Sequence, residues 1–183
     1  SSDLTAAQVE EVRARLSLPR EYLLFVGTLE PRKNLPRLLD AHQSLGASVP
    51  PLVIAGAAGW GDDEWSRRIA ASSNVMLAGH VSGADLPAVY AGAQALCYPS
   101  LMEGFGLPIL EAMSQGTPVV TSAGTSTEEV AGGAAVLVDP LSVESIADGI
   151  RDALARRGEL AQLGVERAKG ASWEATEIGR AHV

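Results

Sequence analysis

Six short apolar runs are spaced along the chain: YLLFVG (22–27), LVIAG (52–56), VMLAG (75–79), ALCYP (95–99), PVVTS (118–122) and AVLVD (135–139). Each has the length of a strand and ends in turn formers or small polar residues. None alternates apolar with polar, so each strand needs cover on both of its faces, which is the condition of a buried parallel sheet. The segments between them supply that cover. Leu35, Leu38, Leu39, His42 and Leu45 recur at helical spacing, as do Leu86, Val89 and Tyr90, and then Ile109, Leu110 and Met113. The pattern predicts a doubly wound, Rossmann-like α/β domain: a six-stranded parallel sheet of order 3-2-1-4-5-6 with helices on both faces. After Asp139 no strand pattern returns. Ile146, Ile150 and Leu154 mark one C-terminal helix, Leu160, Leu163 and Ala168 a second, and SWEATEIGRAHV a third. With 183 residues, 46% of them hydrophobic, the chain has the material for one well-buried core, so residues 1–183 are read as one domain.

The charge balance removes one class of partner. With 22 acidic against 14 basic residues, a net charge of −8 and no basic run, the chain offers no surface that would track a nucleic-acid backbone. The lone Cys97 lies inside an apolar run, where a packed thiol is expected rather than half a disulfide, and this favours a reducing, cytoplasmic setting. No apolar run approaches the roughly 20 residues that span a bilayer, and the opening SSDLTAAQVEEVRARL is charged and helical in pattern, unlike a secretory leader. The first residue is not Met, which suggests a piece of something longer.

In sheets of this order a ligand binds beyond the carboxyl ends of the strands, where the strand order reverses. That point lies between strands one and four, so the loops of interest are GTLEPRKN (27–34) and PSLMEGFGLP (99–108). The first carries two cations, Arg32 and Lys33, ahead of Asn34, an expected N-cap. The second carries Glu103, Gly104, Phe105 and Gly106 ahead of Pro108, at a helix start where proline is favoured. Free N–H groups and the positive end of a helix dipole, with glycines that let a ligand approach the backbone and two cations across the cleft, make a site for a pyrophosphate. Phe105 is expected to fill space beside it. Glu111 falls one turn inside the helix, where a carboxylate near phosphates is useful only as an acceptor for sugar hydroxyls. The ligand expected from these residues is a nucleotide that carries sugar.

At these residues the chain resembles the retaining glycosyltransferases of the two-domain GT-B fold, in the large family four group. The resemblance runs through LLFVGTLEPRKNLPRLLDA, LVIAG, VMLAGHVSGADLPAVYAGAQALCYPSLMEGFGLPILEAMSQGTPVVTS, EEVAGGAAVLVDP and the closing SW, and its most specific part is the Glu, seven residues, Glu spacing inside EGFGLPILEAM. It implies that the chain is the C-terminal, donor-binding domain, with an N-terminal acceptor domain that would precede Ser1. Glu103 would be the catalytic residue, in contact with the transferred sugar. The backbone of Gly104, Phe105, Gly106 and Leu107 would hold sugar and phosphate, Glu111 the ribose, and Arg32 and Lys33 the departing diphosphate. Gly27 and Thr28 would line the donor pocket, and the backbone around Val81 would meet the base. Many members carry Arg where this chain has Thr28. The donor implied is a nucleoside-diphosphate sugar, GDP-mannose or a UDP-hexose, with no metal and no further cofactor. The acceptor would be a glycan, a lipid or a small molecule, with room for peripheral membrane association of the full-length enzyme and a place in polysaccharide biosynthesis, a mannosyltransferase among the options. The isolated chain is expected to bind donor but to transfer no sugar.

Other residues have structural readings. TSTE from Thr125 reads as a capping box, which gives Glu128 a local task. His42 lies on an apolar helix stripe and is expected to be packed. His80 follows strand three and is left open. GAAGWG (56–61) lacks the dinucleotide-binding spacing. A glycosidase-like use of Glu103 and Glu111 needs a sugar cleft, and the phosphate-ready loop argues for transfer instead. The competing functional readings are a nucleotide-sugar epimerase of related fold and a non-catalytic nucleotide-binding domain.

Overall fold

The computed structural model describes residues 3–57 and 63–181. All six expected strands form: β1 (Leu23–Val26), β2 (Leu52–Ala55), β3 (Val75–Gly79), β4 (Ala95–Tyr98), β5 (Val119–Ser122) and β6 (Val136–Val138). They build one parallel sheet in the order β3-β2-β1-β4-β5-β6. The helices that cover it are α1 (Ala6–Arg15), α2 (Leu35–Leu45), α3 (Asp63–Ala71), α4 (Leu86–Gly92), α5 (Leu107–Ser114), α6 (Ser126–Ala131), α7 (Val143–Ala155) and α8 (Arg157–Ala181).

The all-apolar strands divide their side chains between two cores, as the two-residue period of a strand requires. Leu23, Phe25, Leu52, Ile54, Ala95, Cys97 and Val120 face the layer that holds Leu38 of α2 and Ile146 and Ile150 of α7. Their neighbours Leu24, Val53, Leu96, Tyr98 and Val119 face the layer that holds Val89 of α4 and Ile109 and Met113 of α5. Each fully buried Leu, Ile or Phe contributes about 1.5–3 kcal/mol by leaving water, so neither face can be given up. Cys97 is packed and unpaired, and burial pushes its thiol up to about 12.

The chain winds outward from β1 to β2 and β3, then returns to the centre to lay β4 on the free side of β1. The connections after β1 and β4 therefore leave the sheet in opposite directions and open a crevice between them. Two expectations change here. The second and third C-terminal helices are one continuous element, α8, because nothing between Ala168 and Ser172 stops a helix: Gly170 is not in a left-handed conformation and no proline follows. Asn34 stands at the start of α2 but does not cap it. Its backbone is left-handed (φ 64°), which turns its side chain away from the helix's own N–H groups. Among the described residues no helix is long and apolar enough to cross a membrane.

Candidate functional site

The crevice loops are tied to one another before any ligand is considered. The N–H of Leu101 donates to the Arg32 carbonyl (2.8 Å), and the Asn34 amide donates to the carbonyls of Pro99 (2.9 Å) and Pro140 (2.7 Å). From the other side Ser122 donates to the Ser100 carbonyl (2.6 Å) and Ser126 to the Glu103 carbonyl (2.8 Å). The segment carrying Glu103 is thus pinned from β1, β5 and α6 at once.

Glu103 is the centre of the site. Its Oε1 accepts from Lys33 Nζ (2.5 Å) and from Ser100 Oγ (3.0 Å), and its Oε2 accepts from an Arg32 Nη (3.2 Å). The side chains of Lys33 and Glu103 are only 8% and 6% exposed, so the pair is withdrawn from water, whereas Arg32 stands at the surface and also bonds Glu30 (2.7 Å). Lys33 further donates to the Tyr98 hydroxyl (2.8 Å) and sits 5.0 Å from the centre of that ring. Burial acts to raise the Glu103 carboxyl, but the hydrogen bonds from Lys33 and Tyr98 and the charge of Lys33 outweigh it and hold the group below the ordinary carboxylate range. Gly27, at the end of β1, makes room for this arrangement: it takes φ 148°, and a Cβ on it would lie 3.3 Å from Lys33 Cε, so the lysine stem lies against a bare backbone.

Directly after Glu103 the chain turns through Gly104 and Phe105 to Gly106, which is left-handed (φ 80°) and starts α5, with Pro108 at the second helical position. Among the described residues no protein acceptor is hydrogen-bonded to the N–H groups of Gly104, Phe105, Gly106 or Leu107. Two cations, a carboxylate and a helix start whose N–H groups have no protein acceptor among the described residues are therefore in one place, which is what binding and stabilising an anionic leaving group requires.

The remaining site candidates are more scattered. Glu111 is exposed and does not join the Glu103 cluster; its Oε2 accepts from the buried Tyr90 hydroxyl (2.8 Å). Val81 is half-buried against the core beside α4, and Thr28 is exposed with its carbonyl taken by the Glu30 N–H (2.9 Å). Phe105 is 56% exposed, between the two glycines of the crevice loop. Thr125 starts α6 and accepts from the Thr127 N–H (3.3 Å), while Glu128 reaches the Gly124 N–H (2.9 Å), one residue earlier than a capping box would place it. His42 is packed, its Nε2–H donating to the Pro50 carbonyl (2.9 Å), and burial lowers its pKa. His80 is exposed. GAAGWG beyond Ala57, and the Trp173 side chain, lie outside the described residues. Tyr98, Ser100, Ser126 and Tyr90 were not singled out from the sequence. Tyr98 and Ser100 flank the carboxyl end of β4, and a tyrosine and a serine at the ligand end of a strand are the signal that could have found them.

Comparison with known proteins places the chain in a family. A family model described as "Glycosyl transferases group 1" matches residues 8–170. An O-antigen chain mannosyltransferase B of Escherichia coli is 42% identical over 162 residues, covering 84% of this chain and 42% of the relative. A D-inositol 3-phosphate glycosyltransferase of Salinispora tropica is 36% identical over 200 aligned residues, covering 96% of this chain and 40% of the relative. Among solved structures, sucrose-phosphate synthase from Thermosynechococcus elongatus superposes with a TM-score of 0.80 at 28% identity, over 94% of this chain and 48% of that one. The chain spans less than half the length of these relatives.

Proposed function

Because the chain belongs to the glycosyl transferases group 1 family, we propose that it is the donor-binding half of a retaining glycosyltransferase. It holds a nucleoside-diphosphate sugar, and the complete protein passes the sugar to a hydroxyl acceptor contributed through a second, N-terminal domain. The reading rests above all on Glu103, one carboxylate that gathers both cations of the crevice loop beside the open N–H groups of residues 104–107. A diphosphate, which carries more negative charge than one carboxylate, can compete with Glu103 for Arg32 and Lys33 through the same kind of charge-assisted bond. As the bond from sugar to phosphate breaks, negative charge grows on the diphosphate, and cations already fixed in place stabilise it without reorganising. Arg32, Lys33 and the start of α5 do in this scheme what a metal ion does in others. Glu103, released from these cations, faces the sugar. Glu111 accepts from the ribose, and the backbone near Val81 meets the base. The mannosyltransferase named among the relatives favours mannose as the sugar transferred, with a surface or storage polysaccharide as the class of product.

Calorimetric titration with GDP, UDP and ADP tests the site. One of them is expected to bind, and Arg32→Ala to weaken it by roughly tenfold or more, the worth of one charge-assisted bond, while the parent nucleoside binds as before. Arg32 is the residue to remove because its side chain is 44% exposed, whereas that of Lys33 is 8% exposed. No binding by any diphosphate at millimolar concentration, or equal loss for diphosphate and nucleoside, would sink the assignment.

A further inference from the structure

Glu111 has an unusual partner for a carboxylate: a neutral hydroxyl and not a cation. It is held by a phenol, Tyr90, whose side chain is 1% exposed and which reaches it from α4. The phenol is itself firmly placed. The Tyr90 carbonyl accepts from Thr117 Oγ1 (2.6 Å) and from the Ala93 N–H (3.0 Å), and the carbonyl of the preceding Val89 accepts from the buried Tyr22 hydroxyl (2.6 Å). The ring packs in the core with Leu96, Ile109 and Met113. A lysine or arginine at this place would neutralise Glu111 and compete with any ligand for it. A neutral hydroxyl fixes one oxygen and leaves the charge available. Among the described residues nothing is bonded to the other oxygen, Oε1. A carboxylate on an exposed helix face would otherwise sample several rotamers, and loss of that freedom is part of what binding costs.

We propose that Tyr90 is a positioning residue for ribose recognition: its hydroxyl locks Glu111 Oε2 so that Oε1 stands ready to accept from the sugar hydroxyls of the nucleotide. The proposal rests on the reading of Glu111 as the ribose contact. It adds that selection of ribose over deoxyribose depends on a core residue that touches no ligand. α4 begins at Leu86, five residues after Val81 in the loop expected to meet the base, so this bond also couples the base and ribose ends of the nucleotide through one short helix.

The test compares the nucleoside diphosphate that binds with its 2′,3′-dideoxy analogue, on the unchanged protein, on Tyr90→Phe and on Glu111→Gln. The unchanged protein is expected to prefer the ribose form by about tenfold, the worth of a hydrogen bond to a charged group. Tyr90→Phe, which keeps the ring, should reduce that preference to about threefold or less with the dideoxy affinity unmoved. If Tyr90→Phe keeps the full preference, or lowers both affinities together, the hydroxyl serves the scaffold and the proposal is overturned. If the unchanged protein and Glu111→Gln alike show no preference, Glu111 is not the ribose contact and the underlying reading falls with it. An unchanged preference in Glu111→Gln alone points to another ribose contact and overturns both.

Discussion

Two helices begin at the crevice with nearly the same instructions. α2 starts Asn34-Leu-Pro and α5 starts Gly106-Leu-Pro; in both the residue before the helix is left-handed, proline takes the second position, and no side chain caps the N–H groups. Yet the first is closed and the second open. Asn34 and Leu35 are both about 1% exposed, whereas Leu107 is 57% exposed. The difference lies in what the left-handed residue carries. Asn34 has an amide and spends it on the carbonyls of Pro99 and Pro140, sewing three loops together. Gly106 has nothing to spend, and among the described residues the N–H groups before it and after it have no protein acceptor. The same start signal thus makes a joint in one place and a mouth in the other, and a single side chain decides which.

The comparison can be broken from the closed side first. Asn34→Ala removes the hydrogen bonds to the Pro99 and Pro140 carbonyls and the one from Arg37, and leaves a residue without local compensation in the left-handed region, a loss of about 2–4 kcal/mol. For a chain of this size that lowers the melting temperature by roughly 5–15 °C, and Asn34→Gly, free of the backbone strain, should recover part of it. Melts in which alanine and glycine are equally harmless would mean that the joint is held elsewhere. On the open side the weight falls on binding instead. Gly106→Ala places a Cβ only in ordinary contact, 3.4 Å from Ile109 Cδ1, but forces a left-handed alanine at a cost of about 1 kcal/mol. Its melting temperature should drop by only a few degrees, with diphosphate affinity falling more than nucleoside affinity; titration alongside the melt decides between them. The smallest effect is on pH, through the pair that bridges the two starts. Glu103 is held below its ordinary value, so its contribution to stability is complete above pH 4.5 and is lost as the pH falls through the lower folded value. Denaturation followed from pH 7 to pH 3 should show a shallower acid loss for Glu103→Gln than for the unchanged protein. Parallel curves would show that the pair contributes nothing to acid stability.

How far these features could be read beforehand depended on what kind of signal each leaves. The sheet was legible because strands buried on both faces are apolar along their length, as in β1, β2 and β4; the edge strands β3 and β6 kept the apolar pattern although Leu77 and Leu137 are exposed. The meeting of Arg32 and Lys33 with Glu103 followed from topology, since loops 27–34 and 99–108 are far apart in the chain and only the strand order joins them. Backbone handedness at Asn34 was not legible: its side chain is equally suited to cap a helix or to sit in the left-handed region, and neighbours in space settle the choice. Tyr90 was visible only as one more apolar residue of a helical stripe, because its ring packs like any other and only its hydroxyl departs from the pattern. The continuity of α8 was missed for the opposite reason, an isolated glycine being weaker punctuation than it looks.

Cys97 lies in the middle of the strand beneath this site, packed on every side and with its thiol held fully protonated at neutral pH. A reagent that captures thiolates has no route to it while β4 stays paired with β1 and β5. The chain therefore carries its own clock. The rate at which Cys97 becomes labelled counts the moments when the central strand comes apart, and slowing of that rate by a bound nucleotide would weigh the ligand without any need to watch a sugar move.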